Sequence, residues 1–259
     1  MTTLSDSDFL SLLEKLRTVR PLVHVLTNDV VQEITADVLL AAGASPAMVV
    51  APEESGTFAA VADAVLVNVG TPTNQRVEAM HLAVDAARKA GHPWVLDPVA
   101  AGGIPWRDEL IHRFLDKAPT VVRGNASEIL ALCGLSSAGK GVDSQDSSDD
   151  ALDAARTLAL RTGGVVHVTG AVDYVTDGER TIAVSGGHPM TTLVVGTGCA
   201  LSALVAAFAA VADDKLLATA AAARLAKEAA DYAAEHARAP GSFHVAYIDG
   251  LYLTGRESL

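Results

Sequence analysis

AVLVNV, residues 64–69, is apolar at all but one position, and its apolar residues stand on both parities of the run. A strand with one wet face would alternate with period two. A run that is apolar on both faces belongs to a strand covered from both sides, which is the habit of parallel sheets. The same kind of run recurs on either side of it: PLVHVL at 21–26, PAMVV at 46–50, WVLD at 94–97, TVVR at 120–123 and VVHV at 165–168. Between them lie segments with apolar residues at helical spacing, such as NQRVEAMHLAVDAARKAG at 74–91 and DDALDAARTLALRTGG at 149–164, both ending in glycine as helices often do.

Strand and helix in regular alternation predict an α/β fold: a mostly parallel central sheet with right-handed crossovers and helices on both faces, a three-layer α/β/α arrangement. One exception is VDYVTDGERTIAV, 172–184, where Asp177-Gly178 between two β-rich stretches predicts a hairpin. From Cys199 to about Leu253 the chain is alanine-rich and reads as helix throughout. SSAGKGVDSQDSSDD, 136–150, is the one low-complexity stretch and reads as a solvated loop, with a moving lid as the less favoured reading.

The chain has 259 residues, half of them hydrophobic, enough for one large core and one domain spanning 1–259. Aromatics are only 4%, so Ala, Val and Leu must build that core. With 31 acidic against 19 basic residues the formal charge is −12, which argues against a nucleic-acid or anionic-membrane surface. Any anionic ligand must be held locally. Cys133 and Cys199 are spaced for neither a zinc site nor a disulfide framework, the N-terminus does not read as a secretory signal, and no apolar stretch reaches membrane-spanning length. A cytoplasmic protein is expected.

In sheets of this kind ligands collect beyond the carboxyl ends of the strands. Those ends carry Thr27-Asn28, Asp97-Pro98, Arg123-Gly124-Asn125 with Glu128 after them, and Thr169-Gly170. Taken singly, several suit a humbler role: Asn125 and Ser127 are good caps for the helix EILALCG, and Asp97-Pro98 could be a turn. Together they offer a phosphoryl-transfer site. Asp97 and Glu128 could hold Mg²⁺ directly or through water, Arg123 could neutralise phosphate oxygens, and Thr169 could hydrogen-bond them.

VVGTGCALSALVAAF, 194–208, supplies the remaining part. Glycines opening a helix gather unpaired amides around one point, so Gly196, Thr197 and Gly198 form a candidate phosphate cradle. Cys199 at that helix start is expected to have a lowered pKa and to accept or align an alcohol proton, with small-residue packing as the plainer reading. His24, His167 or His188 could approach it in space. There is no P-loop signature, and a third glycine is missing for a dinucleotide fingerprint.

VHVLTNDVVQEITADVLLAAGASPAM (23–48), VLDPVAAGG (95–103), VVRGNASEI (121–129), VTGAVDYVTDG (168–178) and GHPMTTLVVGTGCALSAL (187–204) resemble, in order and spacing, the motifs of the hydroxyethylthiazole kinases, a family of the ribokinase-like superfamily. The resemblance runs from about residue 20 to the C-terminus, and RGNASEI with GTGCALSA is highly specific. It implies transfer of the γ-phosphate of ATP to the hydroxyl of 4-methyl-5-(2-hydroxyethyl)thiazole in thiamine salvage, with Mg²⁺, in a homotrimer whose thiazole pocket lies between subunits. It further implies that Arg123 and Thr169 bind ATP, with Asn125 and Glu128 forming an N-x-x-E pattern near the nucleotide and metal. Met48 and Gly196 would bind the acceptor, with Asn28 beside them, and Asp97 with Glu128 would organise the metal. Cys199 stands where many relatives in the superfamily place an aspartate base.

The chain departs from the family pattern at Asp29, Glu33 and Asp37, and at AAGG, 100–103. Two other enzymes therefore stay in view: a related kinase with a different small alcohol, and a kinase-like dehydratase acting on hydrated nicotinamide nucleotides. Cysteine after GTG, and the GASPAM motif, weigh against the second. A protein that binds nucleotide without turnover is a further possibility.

Overall fold

The computed structural model describes residues 2–135 and 148–256. Its strands are β1 (Leu22–Leu26), β2 (Ser45–Ala47), β3 (Ala64–Asn68), β4 (Trp94–Asp97), β5 (Val121–Asn125), β6 (Val165–Thr169), β7 (Asp173–Thr176) and β8 (Thr181–Val184), in the spatial order β2-β1-β3-β4-β5-β6-β7-β8. Every pair from β2 to β6 is parallel; β6–β7 and β7–β8 are antiparallel. The helices are α1 (Asp6–Val19), α2 (Gln32–Ala42), α3 (Pro52–Ala59), α4 (Asn74–Ala90), α5 (Pro105–Leu115), α6 (Ala126–Leu132), α7 (Leu152–Thr162), α8 (Thr197–Val211), α9 (Lys215–His236) and α10 (Pro240–Leu253).

The unbroken apolar runs are explained by two cores, one on each face. Val23, Val25, Leu66, Val95 and Val121 point into a core built with α1, α2, α8, α9 and α10. Their neighbours Val65, Val67, Trp94, Leu96 and Val122 point into the other, with α4, α5, α6 and α7. This is the expected three-layer arrangement. Leu66 is fully buried, and cutting it to alanine would cost roughly 2–5 kcal/mol.

Local signals account for the boundaries. Thr73 caps α4 through the amide of Arg76, and Gly91 ends it in the left-handed conformation; Gly163 does the same for α7. The hairpin forms around Asp177-Gly178, where Asp177 Oδ1 accepts from the amides of Glu179 (3.0 Å) and Arg180 (2.6 Å). Two expected ranges shift. The run at 46–50 supplies only the short edge strand β2, after which the backbone leaves the ladder and Val49 O accepts a hydrogen bond from His24 Nε2 (2.7 Å). The helix expected at 149–164 begins at Leu152. The loop at 136–150 lies outside the described residues as far as position 147. No described helix is long and apolar enough to cross a membrane.

Candidate active site

Helix α8 runs under the sheet and is buried at every position from Ala200 to Ala209. Its first turn sits at the carboxyl end of the strands. Gly196 caps it with φ +92°, a left-handed conformation, and a Cβ there would come within 2.5 Å of Ile34 Cγ2. The first bond to close on this end is from Ala200 N to Gly196 O (2.8 Å), so the amides of Thr197, Gly198 and Cys199 lie ahead of it. Gly198 admits a close neighbour: a Cβ would stand 3.1 Å from Arg123 Nη1.

Arg123, on β5, faces that turn. Its Nη2 donates to Thr169 Oγ1 on the adjacent strand (3.0 Å), while its buried Nε has no partner among the described residues. A guanidinium with unspent donors beside free helix amides suits an anion. Arg123, Thr169, Thr197 and Gly198 line one cavity of about 640 Å³, whose further walls come from Gly170-Ala171, Gly186-Gly187, His188 and the alanine face of α9. The hydroxyl of Thr197 is already committed, donating to Thr191 O (3.1 Å) and Val194 O (3.4 Å), so its amide is the part free to bind.

Beyond the turn lies a chain of polar side chains. Asn28 Nδ2 donates to Asn68 Oδ1 (3.1 Å) and to Cys199 Sγ (3.5 Å). Asn68 Nδ2 donates to Asp97 Oδ2 (2.8 Å), which also accepts from Ser202 Oγ on α8 (2.8 Å). Neither Asn68 nor Ser202 stands out in the sequence. Asn68 is hidden inside the strand run that defines the fold; its signal is an amide at a strand's carboxyl end.

Burial pushes the Asp97 carboxyl up to about 6; Arg123 opposes this and Glu128 adds to it. Burial likewise pushes the Cys199 thiol up to about 11, and the Asp97 carboxylate adds to the rise. This corrects the expectation of a lowered Cys199 pKa: loss of solvent and a neighbouring negative charge outweigh the helix end. None of the three histidines pairs with that thiol. His24 is bonded to Val49 O, His167 to Asp173, and His188 Nδ1 accepts from Met190 N.

Glu128 spends one oxygen on the amide of Asn125 and the other on that of Ala100, both at 2.9 Å. Asn125 Oδ1 in turn accepts from Glu128 N, a capping box that starts α6. The capping role expected for Asn125 is therefore what its side chain performs, and it does not line the 640 Å³ cavity. Asp97 and Glu128 do not line that cavity either, but both carry the oxygen donors a divalent cation takes. Each Glu128 oxygen keeps a second lone pair, and a cation would relieve the strain on buried, ionised Asp97. Among the described residues no cluster of three or more His, Cys, Asp or Glu could hold a metal.

The other side of the turn, from Leu193 to Val195, borders a second depression of about 420 Å³, with Ile34, Glu33, Asp37, Gly241 and His244. Glu33 and Asp37 are not buried there, and Asp29 pairs with Arg76 on α4, so none of the three is a stranded buried charge. Met48 is half-buried and packs, like Cys199, against the α8 core. Val30, Leu193 and Val195 around this depression are 68%, 66% and 66% exposed.

The hydroxyethylthiazole kinase family model matches residues 13–257. A hydroxyethylthiazole kinase of Klebsiella pneumoniae (strain 342) is 57% identical over 237 residues, covering 92% of each chain. The solved hydroxyethylthiazole kinase of Pyrococcus horikoshii OT3 superposes with a TM-score of 0.88 at 41% identity, covering 95% of this chain and 93% of that one. A ribokinase-like superfamily protein from Enterococcus faecalis V583, 15% identical with a TM-score of 0.69 over 97% and 95% of the two chains, shares the fold.

Proposed function

The chain belongs to the hydroxyethylthiazole kinase family, and we propose on that premise that it transfers the γ-phosphate of ATP to the hydroxyl of 4-methyl-5-(2-hydroxyethyl)thiazole. The observation that carries this reading is the turn at Gly196–Cys199. Its Thr197 and Gly198 line the cavity of Arg123 and Thr169, its Cys199 accepts a hydrogen bond from Asn28, and the residues just before it, Leu193 to Val195, border the second depression.

With ATP in the first cavity, Arg123 and the amides of Thr197 and Gly198 hold the transferring phosphoryl group while charge spreads over its oxygens. Thr169 fixes the guanidinium plane through its hydrogen bond. Asp97 and Glu128 would hold Mg²⁺, which when bound neutralises phosphate charge. Asn68 and Ser202 keep the Asp97 carboxylate in place for that task. Cys199 stays a neutral thiol at physiological pH and orients the acceptor hydroxyl, with Asn28 bonded to its sulfur. A loose transition state needs the alcohol aligned more than it needs it deprotonated beforehand.

The acceptor side is completed, in this proposal, by a second copy in a homotrimer. The exposure of Val30, Leu193 and Val195 around one depression supports it, since grouped exposed apolar side chains mark interaction sites.

The test is direct. Incubation with ATP, Mg²⁺ and a panel of small alcohols, followed by mass spectrometry and ADP release, should give the phosphorylated thiazole as the preferred product. A clear preference for another alcohol, or no acceptor-dependent ADP, sinks the reading.

A further inference from the structure

Lys227 stands mid-way along α9 with its ammonium in the wall of the 640 Å³ cavity, and no step above uses it. Its side chain is only 11% exposed. Nζ donates to Gly170 O (3.2 Å), Ala171 O (3.2 Å) and Gly186 O (3.1 Å), and lies 3.1 Å from Asp173 Oδ1. The three carbonyls come from two separate loops, one directly after Thr169 and one after β8. Four acceptors share three protons, so the ammonium is fully occupied without ligand.

Asp173 is anchored from below. Its Oδ1 accepts from Gly170 N (3.0 Å) and its Oδ2 from His167 Nε2 (2.8 Å). Burial alone would raise its pKa, but the His167 hydrogen bond and the charges around it hold the carboxyl below its ordinary value. Burial pulls the His167 pKa below its ordinary value, against the pull of Asp173. The cavity wall therefore contains a carboxylate, in a chain already carrying −12, and Lys227 is its counter-ion. The second loop lies on the lysine stem itself: at Gly187, with φ +84°, a Cβ would come within 3.3 Å of Lys227 Cγ.

We propose that Lys227, with Asp173 as its partner, is a positioning residue for the nucleotide: it ties the 170–171 and 186–187 loops into the cavity wall and cancels the Asp173 charge before a polyanion enters. This rests on the kinase reading, which assigns that cavity to ATP.

Titration calorimetry with a nonhydrolysable ATP analogue, alongside steady-state kinetics, tests it. In Lys227→Met the analogue should bind about tenfold more weakly, with kcat at saturating ATP within about threefold of wild type and acceptor KM unchanged. Lys227→Arg, which keeps the charge, should fall between the two. Analogue affinity within about twofold of wild type overturns the proposal. So does a parallel fall of kcat, both affinities and Tm, which makes Lys227 a structural staple only. Should Lys227→Met fail to fold, Lys227→Gln takes its place in the same measurements, with the same losses expected and the same results overturning the proposal. A wild-type chain that binds the analogue but phosphorylates no thiazole overturns the kinase reading and leaves the binding comparison intact.

Discussion

The cavity around Arg123, Thr169 and Lys227 is walled by loops of its own chain, and its charges are answered from within: Asp173 by Lys227 and His167, Arg123 in part by Thr169. The depression around Ile34, Glu33 and His244 is the opposite. It is smaller, its carboxylates face solvent, and the apolar side chains at its rim have no cover among the described residues. One segment reaches both: Leu193 to Val195 border the depression, and Thr197 and Gly198 line the cavity. The difference teaches that the first cavity is closed by its own chain, whereas the second is left open at an apolar rim, which is what the proposed division into donor and acceptor sides requires.

The most damaging test of that contrast is Arg123→Ala. Loss of the guanidinium should lower kcat/KM by about a thousandfold, the scale of an arginine that stabilises a phosphoryl transition state. A loss under tenfold would move the phosphoryl group away from this turn.

Asp97→Asn should cost roughly a hundredfold in kcat yet raise apo-protein stability at alkaline pH. The sign follows from a folded pKa raised from 3.8 to about 6. The folded state binds the proton more tightly, so the penalty is absent below the unfolded pKa, grows as pH rises, and is complete above the folded one. Roughly two units correspond to about 3 kcal/mol. Thermal melts at acid and alkaline pH, with and without Mg²⁺, measure it; a variant less stable than wild type at high pH would contradict the buried-carboxylate account.

Val195→Asp sharpens the other half. A charge at the rim should disperse the proposed trimer and raise acceptor KM about thirtyfold, on the scale of one interface hot spot, with ATP-analogue affinity unchanged. Sedimentation and kinetics check it together, and a fully active monomer would show that the depression needs no partner.

Cys199→Ala is the mildest. A neutral thiol that only aligns the alcohol should cost about tenfold in kcat, short of the hundredfold or more typical of a general base. Correspondingly, kcat should show no thiol limb between about pH 6 and 9.

Much of this is legible in residues. The strands announce themselves because covering both faces demands apolar side chains on both parities, and Asp97, Arg123 and Thr169 are found by asking what stands at strand ends. The rest depends on distances between elements. Asn68 reads as one more strand residue until Asn28 and Asp97 come to either end of its amide. Lys227 sits in an alanine-rich helix whose spacing says nothing about loops some forty residues away or more. The Cys199 pKa runs against expectation because the helix end is visible in sequence while burial and the Asp97 charge are not. That Glu33, one of the departures from the family pattern, faces solvent is likewise known only once its helix face is.

The alanine-built meeting of α8 with α9 bears on how this enzyme can change. From Ala200 to Ala209 every position of α8 is buried, so a larger side chain there would have to displace its neighbours. On the proposed reading, a change of alcohol would act outside that helix, at the rim where Glu33, Asp37 and His244 stand. Lineages with new tastes would share an unchanged spine and differ at its edge.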